Sequence, residues 1–241
     1  QQMAYSGAAV GIAAISGPAF SGIVSSAHSH ELVYIILAVL MALGAILTLL
    51  LKPLQSSTEK IEATKTEEKT TIRDYVVLLK NKGLLVGFTG AFSLAASQGV
   101  LAYMLPLKVR TLEMETHISG MLMSVFGIVA IIFFILPTNR IFDRGKNEKI
   151  LAIGLLLGSL AQTLNGLVNI LPLMIASMML YGASFAFIFP SMSTLIAKYS
   201  PNKFRGKAFG LFYGFFSIGS FLGASVTGAF SLTPNQGFVS I

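Results

Sequence analysis

The sequence predicts an all-α polytopic membrane protein, and three observations carry that prediction. Of 241 residues, 54% are hydrophobic and only 11% charged, about half the charged fraction of an ordinary soluble domain. Seven apolar segments follow one another: Met3 to Ala27, Leu32 to Leu51, Gly83 to Leu107, Ile118 to Pro137, Ile150 to Val168, Leu171 to Pro190, and Ala208 to Phe230. Each reaches the roughly 17 to 25 residues that cross a hydrocarbon layer, and none contains Asp, Glu, Lys, Arg or His. Finally, fifteen of the 17 Lys and Arg fall in connections on one side of the inferred membrane, leaving Lys108 and Arg110 on the other. The positive-inside rule makes the richer side cytoplasmic. Because a lipid-exposed backbone must satisfy its own hydrogen bonds, the spans are expected to be helices.

The net charge of +7 is thus a topology signal, and no nucleic-acid partner is expected. With no cysteine, neither a disulfide framework nor a thiol metal site is available. Gln1 and Gln2 supply no positive n-region, which argues against a secretory signal. Starting at Gln1 and stopping just after Gly237, Phe238 and Val239, where another apolar run begins, the chain reads as an internal fragment that starts inside and ends outside.

The first span interleaves Gly7, Gly11, Ser16, Gly17, Pro18, Ser21 and Gly22 with apolar residues. Small residues at these spacings let backbones approach, and proline bends a membrane helix when neighbours satisfy the freed carbonyl. His28, His30 and Glu31 form a short outer turn with no third metal ligand nearby, so a surface loop is expected there and no metal. The aliphatic second span is expected to face lipid. From Lys52 to Asp74 runs a dense stretch of charge, read as a water-exposed linker, and Thr71 to Lys82 suits a short helix at the headgroup boundary leading straight into the third span.

That third span carries Ser93, Ser97, Gln98 and Tyr103, with Pro106 near its outer end. A buried glutamine needs a hydrogen-bond partner, so Gln98 either joins two helices or faces an aqueous cavity of the kind that intramembrane polar residues mark. The outer loop from Lys108 to His117 mixes both signs of charge and is expected to be solvated. In the fourth span Met121, Met123, Phe126, Phe133 and Phe134 recur at helical spacing as packing residues. The charged turn from Asn139 to Lys149 places Asp143 shortly before the fifth span, where the amino end of a helix favours a carboxylate. Gly154, Gly158, Gln162 and Asn165 mark the fifth span. The sixth brings Tyr181, Ser184, Phe185 and Phe187, passes Pro190 and continues as an amphipathic end to Lys198, before the turn signal Ser200, Pro201, Asn202. The seventh is again glycine-rich. Laying Gly17 on Gly219 sets Ser21 on Gly223, the trace a parallel internal repeat would leave.

These motifs carry a family resemblance. The whole chain resembles the major facilitator superfamily, and more narrowly its drug:proton antiporters, from the fifth to the eleventh helix of a twelve-helix architecture. Gly11, Gly17, Pro18, Ser21 and Gly22 look like the antiporter signature of the fifth helix, with Ser21 replacing one glycine. Arg140, Asp143, Arg144 and Gly145 are similar to the conserved gating loop, although Asn139 stands where a glycine is usual and one residue is missing before Gly145. Pro201, Arg205 and Gly206 look like the connection between the tenth and eleventh helices.

The resemblance implies a major facilitator-like helical bundle in three parts: residues 1–51 as the last two helices of the N-terminal bundle, 52–82 as cytoplasmic linker and interfacial helix, and 83–241 as the C-terminal bundle without its last helix. It implies a monomeric, multi-pass plasma-membrane exporter of lipophilic drugs, working by alternating access and coupled to protons, with no cofactor. The third and sixth spans would line the cavity, making Ser93, Ser97, Gln98, Tyr103, Tyr181, Ser184 and Phe185 the candidate substrate contacts, while the second and fifth spans would be peripheral. No acidic or histidine side chain lies within the seven spans, so the proton site is expected in helices preceding this chain.

Rival classes fit less well. An enzyme needs a nucleophile, base or metal set, yet cysteine is absent and the three histidines lie in outer loops. A seven-helix receptor would place its amino end outside, against the charge bias, and a retinal protein needs a mid-span lysine. A metabolite or sugar permease of the same superfamily is the alternative within transporters. The Gly-Pro helix and the lack of buried charge favour export of lipophilic, often cationic, compounds.

Overall fold

The computed structural model describes residues 30–50, 72–135, 147–230 and 233–239, together with Gly17 and Val24. All regular structure among them is helical: α1 (His30–Leu50), α2 (Ile72–Lys80), α3 (Lys82–Thr111), α4 (His117–Ile135), α5 (Asn147–Leu167), α6 (Leu171–Tyr199), a 3-10 turn (Asn202–Phe204), α7 (Arg205–Ala229) and α8 (Pro234–Val239). Six helices among the described residues, α1 and α3 to α7, are long and apolar enough to cross a membrane. Of the first span only Gly17 and Val24 are described, Gly17 helical and exposed; Gly11, Pro18, Ser21 and Gly22 lie outside the described residues, as do Arg140, Asp143, Arg144, Gly145 and the linker as far as residue 71.

The third span is the axis of the bundle. Asn81 starts it: its side-chain oxygen accepts from the Gly83 and Leu84 amides at 3.0 and 3.4 Å, the usual way a helix start is satisfied. Only this residue separates α2 from α3, as the direct lead from interfacial helix to span requires. Pro106 does not end α3, which runs on to Thr111. The missing proline amide falls opposite the exposed Ala102, where the loss of one ladder bond is tolerated in a membrane helix packed against neighbours.

Glycine sets how closely the helices meet. A Cβ at Gly99 of α3 would collide with the Ser220 carbonyl of α7, and Cβ atoms at Gly219 and Gly223 would collide with the Phe92 and Ala96 carbonyls of α3. The two backbones therefore touch along nearly two turns of α3, the close approach that small residues permit. Gly206, Gly210 and Gly214 of α7 have open space around them instead. On the far flank of α3, a Cβ at Gly87 would lie 2.7 Å from Ile196 of α6 and one at Gly90 3.0 Å from Leu151 of α5.

No residue in the membrane-length window of α1 is buried, and every residue from Leu37 to Leu50 is exposed. At the end of the bundle where α2 lies, Lys207 of α7 pairs with Asp74 of α2 at 2.7 Å, each about a quarter exposed. A partly exposed pair of this kind stabilises weakly, so Asp74→Asn is expected to lower thermal stability by less than about 1 kcal/mol, measurable as a small shift in melting temperature at low salt. At the outer end the structure corrects the sequence reading. Lys108 belongs to α3 and is 1% exposed instead of lying in a solvated loop. Its ammonium donates to the Asn165 carbonyl and, at 3.3 Å, to the Gly166 carbonyl at the end of α5, with the Phe238 ring of α8 at 5.9 Å. A cation at a helix carboxyl end meets carbonyls that have no amide of their own.

Candidate functional site

Ser93 and Ser97 stand one turn apart on α3, Gly158, Ser159 and Gln162 span one turn of α5, and Tyr181, Ser184 and Ile188 follow one another at three- and four-residue spacing on α6. Those spacings put each set on a single helix face, and the three faces line a cavity of about 320 Å³, open on the side of the exposed Ser93 and Ser159, whose remaining walls are Phe92, Leu94, Ala96 and Leu155. Among the described residues, no acidic or basic side chain lines it. Gly158 keeps the space open, because a Cβ there would come within 2.9 Å of the Ser184 hydroxyl.

The polar groups form a chain across the three helices. Gln162 Nε2 donates to the Ser97 carbonyl at 2.9 Å and to the Ser97 hydroxyl at 2.8 Å, and that hydroxyl shares a 2.9 Å bond with the Tyr181 hydroxyl. Tyr181 is buried, its ring tilted against Phe126 of α4 at 5.3 Å. Two further polar atoms, Gln162 Oε1 and Ser184 Oγ, are buried without a partner. Near the outer end of α5, Asn165 is satisfied differently, accepting from Ser177 of α6 and donating to the Met178 sulfur at 3.7 Å.

Of the seven residues expected to contact substrate, Ser93, Ser97, Tyr181 and Ser184 line this one cavity and three do not. Gln98 is half-buried and lies eleven residues from Gly87, so it shares the stripe of α3 that faces α6. Tyr103 is 48% exposed at the outer end of α3. Phe185 is locked into an aromatic cluster, edge-on to Phe126 at 5.5 Å and stacked on Phe189 at 5.5 Å. The fifth span turns one face outward, with Ile153, Leu156 and Leu160 exposed, and supplies Gly158 and Gln162 to the cavity, with the exposed Ser159 at its rim. A polar residue on an otherwise apolar span was the available signal, since Gln162 is as costly to bury alone as Gln98.

Comparison with known proteins extends this picture. Multidrug resistance protein MdtG from Escherichia coli O9:H4 (strain HS) is 28% identical over 234 residues, covering 95% of this chain and 55% of that protein. MdtG from Escherichia coli (strain SMS-3-5 / SECEC) is likewise 28% identical over 235 residues, again 95% and 55% of the two chains. The chain therefore spans about half the length of the curated relatives it matches. No solved structure matches it significantly. The family profile described as Major Facilitator Superfamily matches residues 1–223, a stretch that runs through the α3–α7 glycine contacts and every residue of the polar cavity. On that match, which takes in all the membrane-length helices up to the middle of α7, this multi-pass membrane chain belongs to the Major Facilitator Superfamily.

Proposed function

We propose that this chain forms part of a plasma-membrane exporter of lipophilic drugs or other toxic small molecules. It acts as a monomer by alternating access and draws on the proton gradient. Residues 1–51 contribute to one bundle, 52–82 connect, and 83–241 form most of the other. The observation that carries this reading is the convergence of Ser93, Ser97, Tyr181 and Ser184 on one cavity with mostly apolar walls and no charge. Such a pocket holds varied lipophilic molecules by shape and fixes them with few polar contacts. The multidrug resistance proteins among its relatives support the same direction. The group that carries the proton lies outside the seven apolar spans, which contain no Asp, Glu or His.

The test is accumulation of a lipophilic dye in cells expressing the full-length protein, with and without a protonophore. Expression is expected to lower dye accumulation, and collapse of the proton gradient to restore it. Tyr181→Phe, which removes one hydroxyl from the cavity, is expected to reduce export several-fold, about the effect of losing one buried hydrogen bond. Accumulation equal to that in empty cells for several dyes would rule out drug export and favour a permease for polar metabolites.

A further inference from the structure

We propose that the cavity among α3, α5 and α6 binds the neutral hydrogen-bonding head of a lipophilic molecule, a hydroxyl or an unsubstituted amide, and that Gln162 and Ser184 select it. The inference rests on the cavity being a substrate site, as read above. It follows from which hydrogen-bonding capacity the protein has already used.

Both hydrogens of the Gln162 amide are engaged, one on the Ser97 carbonyl and one on the Ser97 hydroxyl. Its carbonyl oxygen is left over in a side chain only 3% exposed. The Ser184 hydroxyl, at 0% exposure, has no partner either. Ser97 and Tyr181 share a single bond between two hydroxyls, so whichever donates, one hydroxyl hydrogen of the pair remains unspent. The cavity thus presents one bare acceptor, one free hydroxyl and one spare donor. Buried polar atoms in this state are costly, and a guest that satisfies them recovers that loss.

A guest that matches must both donate and accept. Hydroxyl and primary amide groups do so. An ammonium only donates and would enter a space that no carboxylate lines, while a quaternary ammonium has no hydrogen to give Gln162. Leaving a charge unpaired among Phe92, Leu94, Leu155 and Ile188 is disfavoured by desolvation. Those same walls suit a short alkyl or aryl tail, and about 320 Å³ lies at the small end of ligand pockets.

The experiment measures equilibrium binding of radiolabelled octanamide and N,N-dimethyloctanamide to the full-length protein in lipid nanodiscs. The two share tail and carbonyl and differ in the N–H donors. Octanamide is expected to bind on the order of tenfold more tightly, the discrimination a site gains when its acceptor would otherwise stay unmet. Gln162→Met is expected to abolish that preference. Because this change also breaks the bonds to Ser97, Ser184→Ala serves as the second variant. It deletes a hydroxyl that has no partner among the described residues, and is expected to weaken octanamide about threefold or more and the dimethyl compound, which offers a carbonyl but no N–H, by less. Equal affinities, binding of neither probe, or a preference untouched by Ser184→Ala would overturn the assignment. If dye export persists alongside equal affinities, only the head-group assignment falls. If the amide preference holds and dye export is absent, the drug-export reading falls instead.

Discussion

In Gly223→Val, the α3–α7 pair is expected to come apart. The valine Cβ would collide with the Ala96 carbonyl, which is backbone and cannot swing aside, and the neighbouring Gly219 seat already holds Phe92 equally close. Overpacking of this kind costs about 1 to 3 kcal/mol where side chains can yield, and the upper end or beyond is expected where only helix axes can move. Gly214→Ala on the same helix is the control. Nothing lies within 4 Å of the added Cβ, and alanine is the better helix former, so its effect is expected to stay within about 0.5 kcal/mol. Thermal denaturation in detergent, followed by size-exclusion chromatography, reads both. Equal melting temperatures for the two variants would mean that α3 and α7 are not in backbone contact.

Lys108→Glu is expected to release the outer end of the bundle. The ammonium now lies against the terminal carbonyls of α5 and near the Phe238 ring. A carboxylate there would face those carbonyls buried and unpaired, a change on the order of 3 to 5 kcal/mol in comparable cases. This chain has no cysteine, so Phe238→Cys, in a full-length background without other cysteines, reports on this corner. Phe238 is 1% exposed, so a membrane-impermeant maleimide should label that position slowly when Lys108 is present and rapidly in combination with Lys108→Glu. Rapid labelling in both would show that α8 does not depend on the lysine.

Six of the seven expected spans, all but the first, which lies almost wholly outside the described residues, were legible in the sequence because apolar length and freedom from charge are properties of a segment taken alone. The continuation of the sixth span past Pro190 was legible for the same reason, as was the polar character of Ser97, Tyr181 and Ser184. Which face each polar residue turns toward which neighbour is a property of pairs of helices, and there the reading ran out. Gln98 and Gln162 look alike in sequence, yet only Gln162 reaches Ser97. Lys108 shows the same limit. A lysine beyond an apolar run ordinarily marks the water boundary, but the carbonyls at the end of α5 supply inside the protein what water supplies outside it. Phe185 was readable as aromatic and at the right height; its commitment to Phe126 and Phe189 depends on where α4 passes.

Tyr199 holds the corner where α3, α5 and α6 meet from three directions. Its hydroxyl donates to Glu148 of α5 at 2.8 Å, its carbonyl accepts from Asn81 at 3.3 Å, and its ring covers Gly83 so closely that a Cβ there would have no room. Tension applied to the chain at Ile72 is therefore spread at this mooring over α3, α5 and α6 together, and does not bend one helix alone.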